Sequence, residues 1–366
     1  MTSQNSAEYG RLTPMLAALE ALVRCESPTE DLDACRNVVR LASDIATRVL
    51  GTPAEIREVE GRPVFWWGSP EPEVILLGHL DTVWPHGSYQ PLWEVNGDVV
   101  RGPGVFDMKA GFLQGLYALK GIEGSVALIA TTDEETGSHT SRKLIQDLSA
   151  RAKAVLVLEA SLDGKVKTGR KGTSMYQVHV HGLASHAGLE PEKGVNATTE
   201  IAHVVLKVSQ LENTEHGTTV VPTVLRSGTT TNTVPDHAIL DIDTRSFAMS
   251  ELERVDAAIK ALTAENPKIR IEITGGINRP PLQEHSTAAL YERAEKVAAS
   301  IGMPPLGSAK VGGASDGNFA AAAGAPVLDG LGAVGGGAHA PSEWLSAKTL
   351  EQRTEFLHAF IVDLLK

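Results

Sequence analysis

Short apolar runs set what this 366-residue chain can fold into. Val74-Ile75-Leu76-Leu77 is the clearest of them. Val126 to Ala130 and Val155 to Leu158 repeat its form, and Pro326-Val327-Leu328 is a weaker copy. Runs of this length without polar alternation read as strands buried on both faces. Stretches at helical spacing lie between several of them, at Met108 to Lys120, Ser138 to Leu148 and Asn318 to Ala323. A further helical region over 12–50 places Leu16, Leu19, Leu22, Val38, Leu41 and Ile45 at helical spacing. Buried strands alternating with helices imply an α/β fold, with a mixed, mostly parallel sheet covered by helices.

The stretch 172–280 has a different pattern. Tyr176, Val178 and Val180 alternate with polar residues, as in a strand with one open face. A helix is expected near Asn196 to Leu211, strands at Val220 to Arg226 and Ala238 to Thr244, a helix at Glu251 to Ala264 and a strand at Ile269 to Ile273. That β-α-β-β-α-β order is the order of a ferredoxin-like α+β sandwich. The segment 281–366 then returns to helices and apolar runs. The expected organisation is therefore one domain from 1–171 and 281–366, with 172–280 inserted, and Asn278-Arg279-Pro280-Pro281 as the hinge back.

Composition narrows the partners. The chain is 42% apolar and 21% charged, with a formal net charge of −12. That balance disfavours nucleic acid and anionic membrane surfaces, which select basic patches. No run approaches the roughly 18 apolar residues of a membrane span. Met1 to Arg11 is polar and carries no apolar core of a secretory signal. Cys25 and Cys35 lack a CxxC spacing and read as reduced thiols, so a cytoplasmic protein is expected.

The residues just beyond the apolar runs carry chemistry. His79 and Asp81 come after Leu77. Asp133, Glu134 and Glu135 come after Ala130. Glu159 is next to Leu158, and His339 comes after Leu328 and a Gly-rich loop. In an open α/β sheet ligands bind beyond the carboxyl ends of the strands, so one sheet edge gathers these groups. Their mix of imidazole and carboxylate suits a catalytic zinc pair. Each residue has a plainer reading by itself. His79 alone is a hydrogen-bonded histidine, and Asp107 a cap for a helix from Met108. Glu134 and Glu135 read as a solvated helix start, and Glu159 as an ion-pair partner of Lys165 or Lys167.

The pieces GHLDTVWP at 78–85, RGPGVFDMKAG at 101–111, TTDEETGS at 131–138, LEAS at 158–161, SHAG at 185–188, DIDTR at 241–245 and GGGAHAPSEW at 335–344 span most of the chain. In content and order they resemble the M20 family of zinc aminopeptidases, carboxypeptidases and deacylases. The carboxypeptidase G2-like, or glutamate carboxypeptidase, branch is the nearest pattern. The resemblance implies two zinc ions per chain, with Mn or Co able to take the same ligands. Asp107 would bridge them, His79 and Glu159 would complete one site, and Glu135 and His339 the other. Asp81 would orient His79. Glu134 would be the general base that takes a proton from the attacking water and passes it to the leaving nitrogen. The inserted domain falls where the family's lid and dimerisation domain does, so the resemblance implies a homodimer through the lid. His186 resembles the lid histidine that reaches the partner subunit's site and stabilises the oxyanion, and Arg245 and Asn232 the residues that hold a substrate carboxylate. Lys171 is a weaker candidate of that kind. The implied substrate is a peptide or N-acyl amino acid with a free C-terminal carboxylate, a C-terminal glutamate first. An N-acyl-amino-acid deacylase by the same mechanism is the alternative.

Three rival readings remain in the residues. Gly313-Ala314-Ser315-Asp316-Gly317 fits the G-x-S-x-G nucleophile elbow, with Asp329 and His339 coming next in the order of a serine hydrolase, but Ser308 to Val311 before it is a poor buried strand and the acidic and His clusters between 79 and 159 would go unexplained. A non-catalytic binding protein on the same scaffold is another, although it would have no use for Glu134 beside a metal ligand. A phosphate cradle in the Gly-rich 330–337 segment lacks the GK[ST] ending. Last, His179 and His181 alternate on one strand face, as a metal pair would. No third donor lies near them in sequence, so a lid surface or subunit interface is the preferred reading.

Overall fold

The computed structural model describes residues 12–366. They fall into two compact units. One takes the chain up to Gly169 together with Gln283–Val311 and Ser315–Lys366. The other takes Arg170–Leu282 with Gly312–Ala314.

The first unit is built on a six-stranded sheet in the order Glu55–Val59, Arg62–Gly68, Val126–Thr131, Val74–His79, Ala154–Val157, Val327–Leu328. The first three strands pair antiparallel and the last four run parallel. Val74–His79 and Val126–Thr131 are buried at every position, which is why they read as unbroken apolar runs. The Ala110–Ala118 helix carries Phe112, Leu113 and Leu116 into the same core and is buried almost all round. Leu32–Leu50 is amphipathic instead. It buries Val38, Val39, Ala42, Ile45 and Ala46 at helical spacing and leaves its charged residues outside.

The expected helix over 12–50 is two helices, Leu12–Arg24 and Leu32–Leu50. Pro28 lies in the break, where its ring disfavours helical backbone in the residue before it. Asp31 restarts the helix as an N-cap, its side chain accepting from the N–H groups of Asp33 and Ala34 at 3.0 and 2.9 Å. The helix expected from Met108 starts two residues later, at Ala110.

The second unit is a four-stranded antiparallel sheet in the order Thr219–Ser227, His237–Ser246, Gly172–His181, Arg270–Arg279. Helices Ala197–Ser209 and Met249–Lys260 cover one face. Tyr176, Val178, Val180, Ala238, Leu240 and Ile242 point into that core together with Ile201, Val204, Val255 and Ile259. This is a ferredoxin-like sandwich, in element order and in strand order. Its other face carries the alternate residues. Among the described residues no helix is long and apolar enough to cross a membrane, and Cys25 and Cys35 are both free thiols.

One close approach ties this core to the carboxyl edge of the sheet. A Cβ added at Gly111 would sit 1.9 Å from the backbone oxygen of Leu158, next to Glu159. Helix and strand end can meet there only without a side chain. Gly111→Ala is expected to lower the unfolding free energy by about 1–3 kcal/mol or more, as overpacking does. Urea unfolding measures it, and an unchanged midpoint would show that the backbone contact is not tight.

Candidate metal centre

The carboxyl ends of the parallel strands bring the acidic and imidazole groups together. His79 ends its strand, fully buried. The Glu134–Thr136 turn comes after Val126–Thr131, and Glu159 lies two residues beyond Ala154–Val157. His339 arrives on the loop after Val327–Leu328, with φ +61° and half its side chain exposed.

Asp107 is at the centre. Its Oδ1 lies 3.3 Å from His79 Nε2, and that nitrogen lies 3.6 Å from Glu159 Oε1. Its Oδ2 lies 3.3 Å from His339 Nε2, and that nitrogen lies 3.0 Å from Glu135 Oε2. The two oxygens of one carboxylate thus face different imidazoles, each with its own glutamate. Asp107 is not a helix cap. It sits inside the Val105–Lys109 turn with non-helical backbone angles and makes no capping bond.

The ring of His79 is fixed from behind. Its Nδ1 lies 3.1 Å from the backbone oxygen of Asp81 and 3.5 Å from that residue's Oδ1. The carbonyl can only accept, so Nδ1 carries a hydrogen, and Nε2 is the ring nitrogen turned toward Asp107 and Glu159. Asp81 is itself held, because its Oδ2 accepts from Thr29 Oγ1 at 2.8 Å and from the Glu135 N–H at 3.2 Å.

Carboxylates outnumber imidazoles here, and the titration of the group reflects it. Burial alone would lower the pKa of His79, but Asp107, Asp81 and Glu159 outweigh it and push it well above the ordinary value. Asp107 and Glu135 likewise raise His339, to about 11. Burial raises Glu135, with Asp107 adding to the effect against the pull of His339. The centre holds negative charge that calls for cations.

Residues 75–363 match the model of peptidase family M20/M25/M40. Carboxypeptidase G2 of a Pseudomonas strain is 31% identical over 80% of this chain and 74% of its own length. The chain belongs to peptidase family M20. Succinyl-diaminopimelate desuccinylase of Marinobacter nauticus is 24% identical over 97% of this chain and 99% of that protein. The crystal structure of aminopeptidase PepT from Bacillus cereus superposes with a TM-score of 0.75 at 22% identity, covering 97% of this chain and 99% of that one, and shares its fold. As a member of M20 the chain is a metallohydrolase of the peptidase and amidohydrolase kind, whose relatives use divalent metals.

The residues present fit such metals. His79, Asp107 and Glu135 bring donor atoms within 4.8 Å of one another, and so do His79, Glu134 and Glu159. His79 Nε2 and Asp107 Oδ1 are buried without a hydrogen-bond partner, although they lie 3.3 Å apart. Two buried polar atoms that stand close yet do not bond each other are placed for a shared third party. Distance alone does not separate Glu134 from the ligands, since it belongs to one of the two groups.

The serine-hydrolase arrangement does not form. Ser315 is fully buried and caps the Asp316–Ala322 helix in a capping box with Asn318. Its Oγ donates to Asp329 Oδ2 at 2.7 Å, while His339 faces Asp107. The elbow pattern is a helix cap.

In the second unit, His186 is exposed, and its Nδ1 accepts from the N–H groups of Gly188 and Leu189, both at 3.1 Å. Its Nε2 therefore carries the hydrogen and is a donor. Arg245 is engaged by Asp243, with Nε and Nη2 donating at 2.9 and 3.1 Å, and its Nη1 donates to the Gly312 oxygen. Asn232 is exposed and uses its backbone oxygen to accept from Ala187.

Glu343 was not singled out from the sequence. It is buried, and its Oε1 accepts from the N–H groups of Phe106 and Asp107 at 2.9 and 3.1 Å. Its Oε2 accepts from Gly104 N–H at 3.0 Å and Trp84 Nε1 at 3.2 Å. One carboxylate thereby holds the turn that presents Asp107, entered through Gly104 at φ +69°. The only sequence signal was a glutamate four residues after His339. Glu343→Gln turns an amide N–H₂ toward backbone donors. A loss of about 2 kcal/mol is expected, measured by urea unfolding of metal-free protein so that bound ions do not contribute. Equal stability of the variant would remove Glu343 from this role.

Proposed function

We propose that this chain is a two-zinc hydrolase that cleaves the amide bond next to a C-terminal, carboxylate-bearing amino acid. The observation that carries the reading is the division of Asp107, with Oδ1 toward His79 and Glu159 and Oδ2 toward His339 and Glu135. In this reading those five residues hold the ions. Zinc in such a site supplies Lewis acidity toward the scissile carbonyl and eases deprotonation of water. Mn or Co suits the same donors.

The chain's own residues do the rest. Asp81 keeps the hydrogen of His79 on Nδ1 and the ring in place. Glu134 takes the proton of the attacking water on its carboxylate and hands it to the leaving nitrogen. His186, with its hydrogen on Nε2, would reach the partner subunit's site and donate there to the oxygen that gains charge as the carbonyl is attacked. Arg245 and Asn232 are the proposed carboxylate contacts. Arg245 would have to share its guanidinium between the substrate and Asp243, so it is the weaker of these assignments. The inserted unit, near 172–280, is proposed as a lid that also forms the homodimer.

Likeness to a carboxypeptidase supports the peptide reading. Likeness to a desuccinylase over 97% of the chain supports an N-acyl-amino-acid deacylase, which the same machinery serves. A panel of dipeptides and N-acyl amino acids, each paired with its C-terminal amide, separates them. Turnover of the free acids is expected, with a marked loss for the amides.

Glu134→Gln tests the mechanism. Retained metal content with a loss of turnover by roughly 10²–10⁴ is expected of a removed general base. Near wild-type kcat would dismiss the assignment, and loss of an ion from the variant would make Glu134 a ligand. Chelator treatment is expected to abolish activity and added zinc to restore it. Full activity in chelator would end the metal reading.

A further inference from the structure

The open face of the ferredoxin-like sheet gathers three histidines. His179 and His181 are two apart on Gly172–His181, while Val178 and Val180 face the helices. The third comes from the neighbouring strand, where His237 stands opposite His181 in the register. Ring centres are 5.1 Å apart for His181 and His237, 5.6 Å for His179 and His237, and 6.3 Å for His179 and His181.

The hydrogen bonds behind these rings select their tautomers. Gln177 Nε2 donates to Asp241 Oδ1 at 2.8 Å, so the amide oxygen points the other way, to His179 Nε2 at 2.7 Å. An amide oxygen can only accept, so His179 has its hydrogen on Nε2. Its Nδ1 lone pair is then directed at His237 Nε2, 3.4 Å away. The chain Asp241–Gln177–His179 is the kind of outer support that metal-binding imidazoles receive. His181 gives a second, independent indication. Its Nε2 is buried with no hydrogen-bond partner, and the nearest carboxylate oxygen, on Glu272, is 3.6 Å away, beyond hydrogen-bond reach.

We infer that His179, His181 and His237 form a binding site for a divalent transition-metal ion that prefers imidazole, of the zinc, nickel or copper class, on the open face of the lid sheet. A metal–nitrogen length of about 2.0–2.1 Å puts imidazole centres roughly 3 Å from the ion and roughly 5 Å from one another. Two of the three spacings already have that value. His179 and His181, inclined at 11°, would have to turn toward each other to close the third. Glu272 adds negative charge beside the site. None of these residues belongs to the Asp107 cluster, so the inference goes beyond the hydrolase reading.

Enzyme holding two zinc ions per chain, titrated with Cu²⁺ and followed by electron paramagnetic resonance, tests it. The Asp107 cluster offers a single imidazole to each side, so coupling to several imidazole nitrogens reports the lid site. The expected result is one further ion per chain with that coupling. Both should vanish in His181→Ala and in His237→Ala, the latter an exposed position. Gln177→Leu keeps all three rings and is expected to weaken the affinity by roughly ten- to a hundredfold. Circular dichroism checks that the variants fold, and Gln177→Leu carries the test if the others do not. Copper uptake and spectra identical in wild type and variants, or coupling to one imidazole alone, would overturn the inference.

Discussion

Negative charge gathered around Asp107 is the constraint on which the rest of the first unit depends. Buried carboxylates repel one another, and a sheet does not collect them at one edge without a cation to share. The two imidazoles relieve part of that charge, which is why both rings are pushed toward their protonated forms. Ions held between the same donors would relieve it more completely. The parallel strands supply the convergence, because each ends at the same edge and delivers its next residues there. Asp81, Thr29 and Glu343 supply the aim, holding the ring of His79 and the turn of Asp107 through hydrogen bonds.

The architecture was legible wherever burial wrote a simple pattern. Val74–His79 and Val126–Thr131 are covered on both faces and read as apolar runs. Gly172–His181 is covered on one face and reads as alternation. Those two patterns give the mixed sheet and the ferredoxin-like insertion. Helix ends were less legible. The break between Leu12–Arg24 and Leu32–Leu50 depends on one proline and one capping aspartate inside a continuous apolar periodicity. Ser315 shows the converse, a local motif that fits a catalytic pattern while its side chain caps a helix.

The groups around Asp107 were legible as a pool because they lie just past the apolar runs, and the family resemblance sorted them. Spacing does not carry cross-chain hydrogen bonding. Glu343 lies more than two hundred residues from the turn it holds, and no periodicity links them. His237 likewise joins His179 and His181 only through strand register. Arg245 was readable both as a carboxylate contact and as an ion-pair partner, and the structure shows it paired with Asp243.

The most direct test of the central claim is anomalous diffraction at the zinc absorption edge from crystals of the zinc-loaded enzyme. One peak is predicted beside each oxygen of Asp107, the first next to His79 and Glu159, the second next to His339 and Glu135. A single peak at Asp107, or zinc bound with neither oxygen of Asp107 in contact, would contradict it.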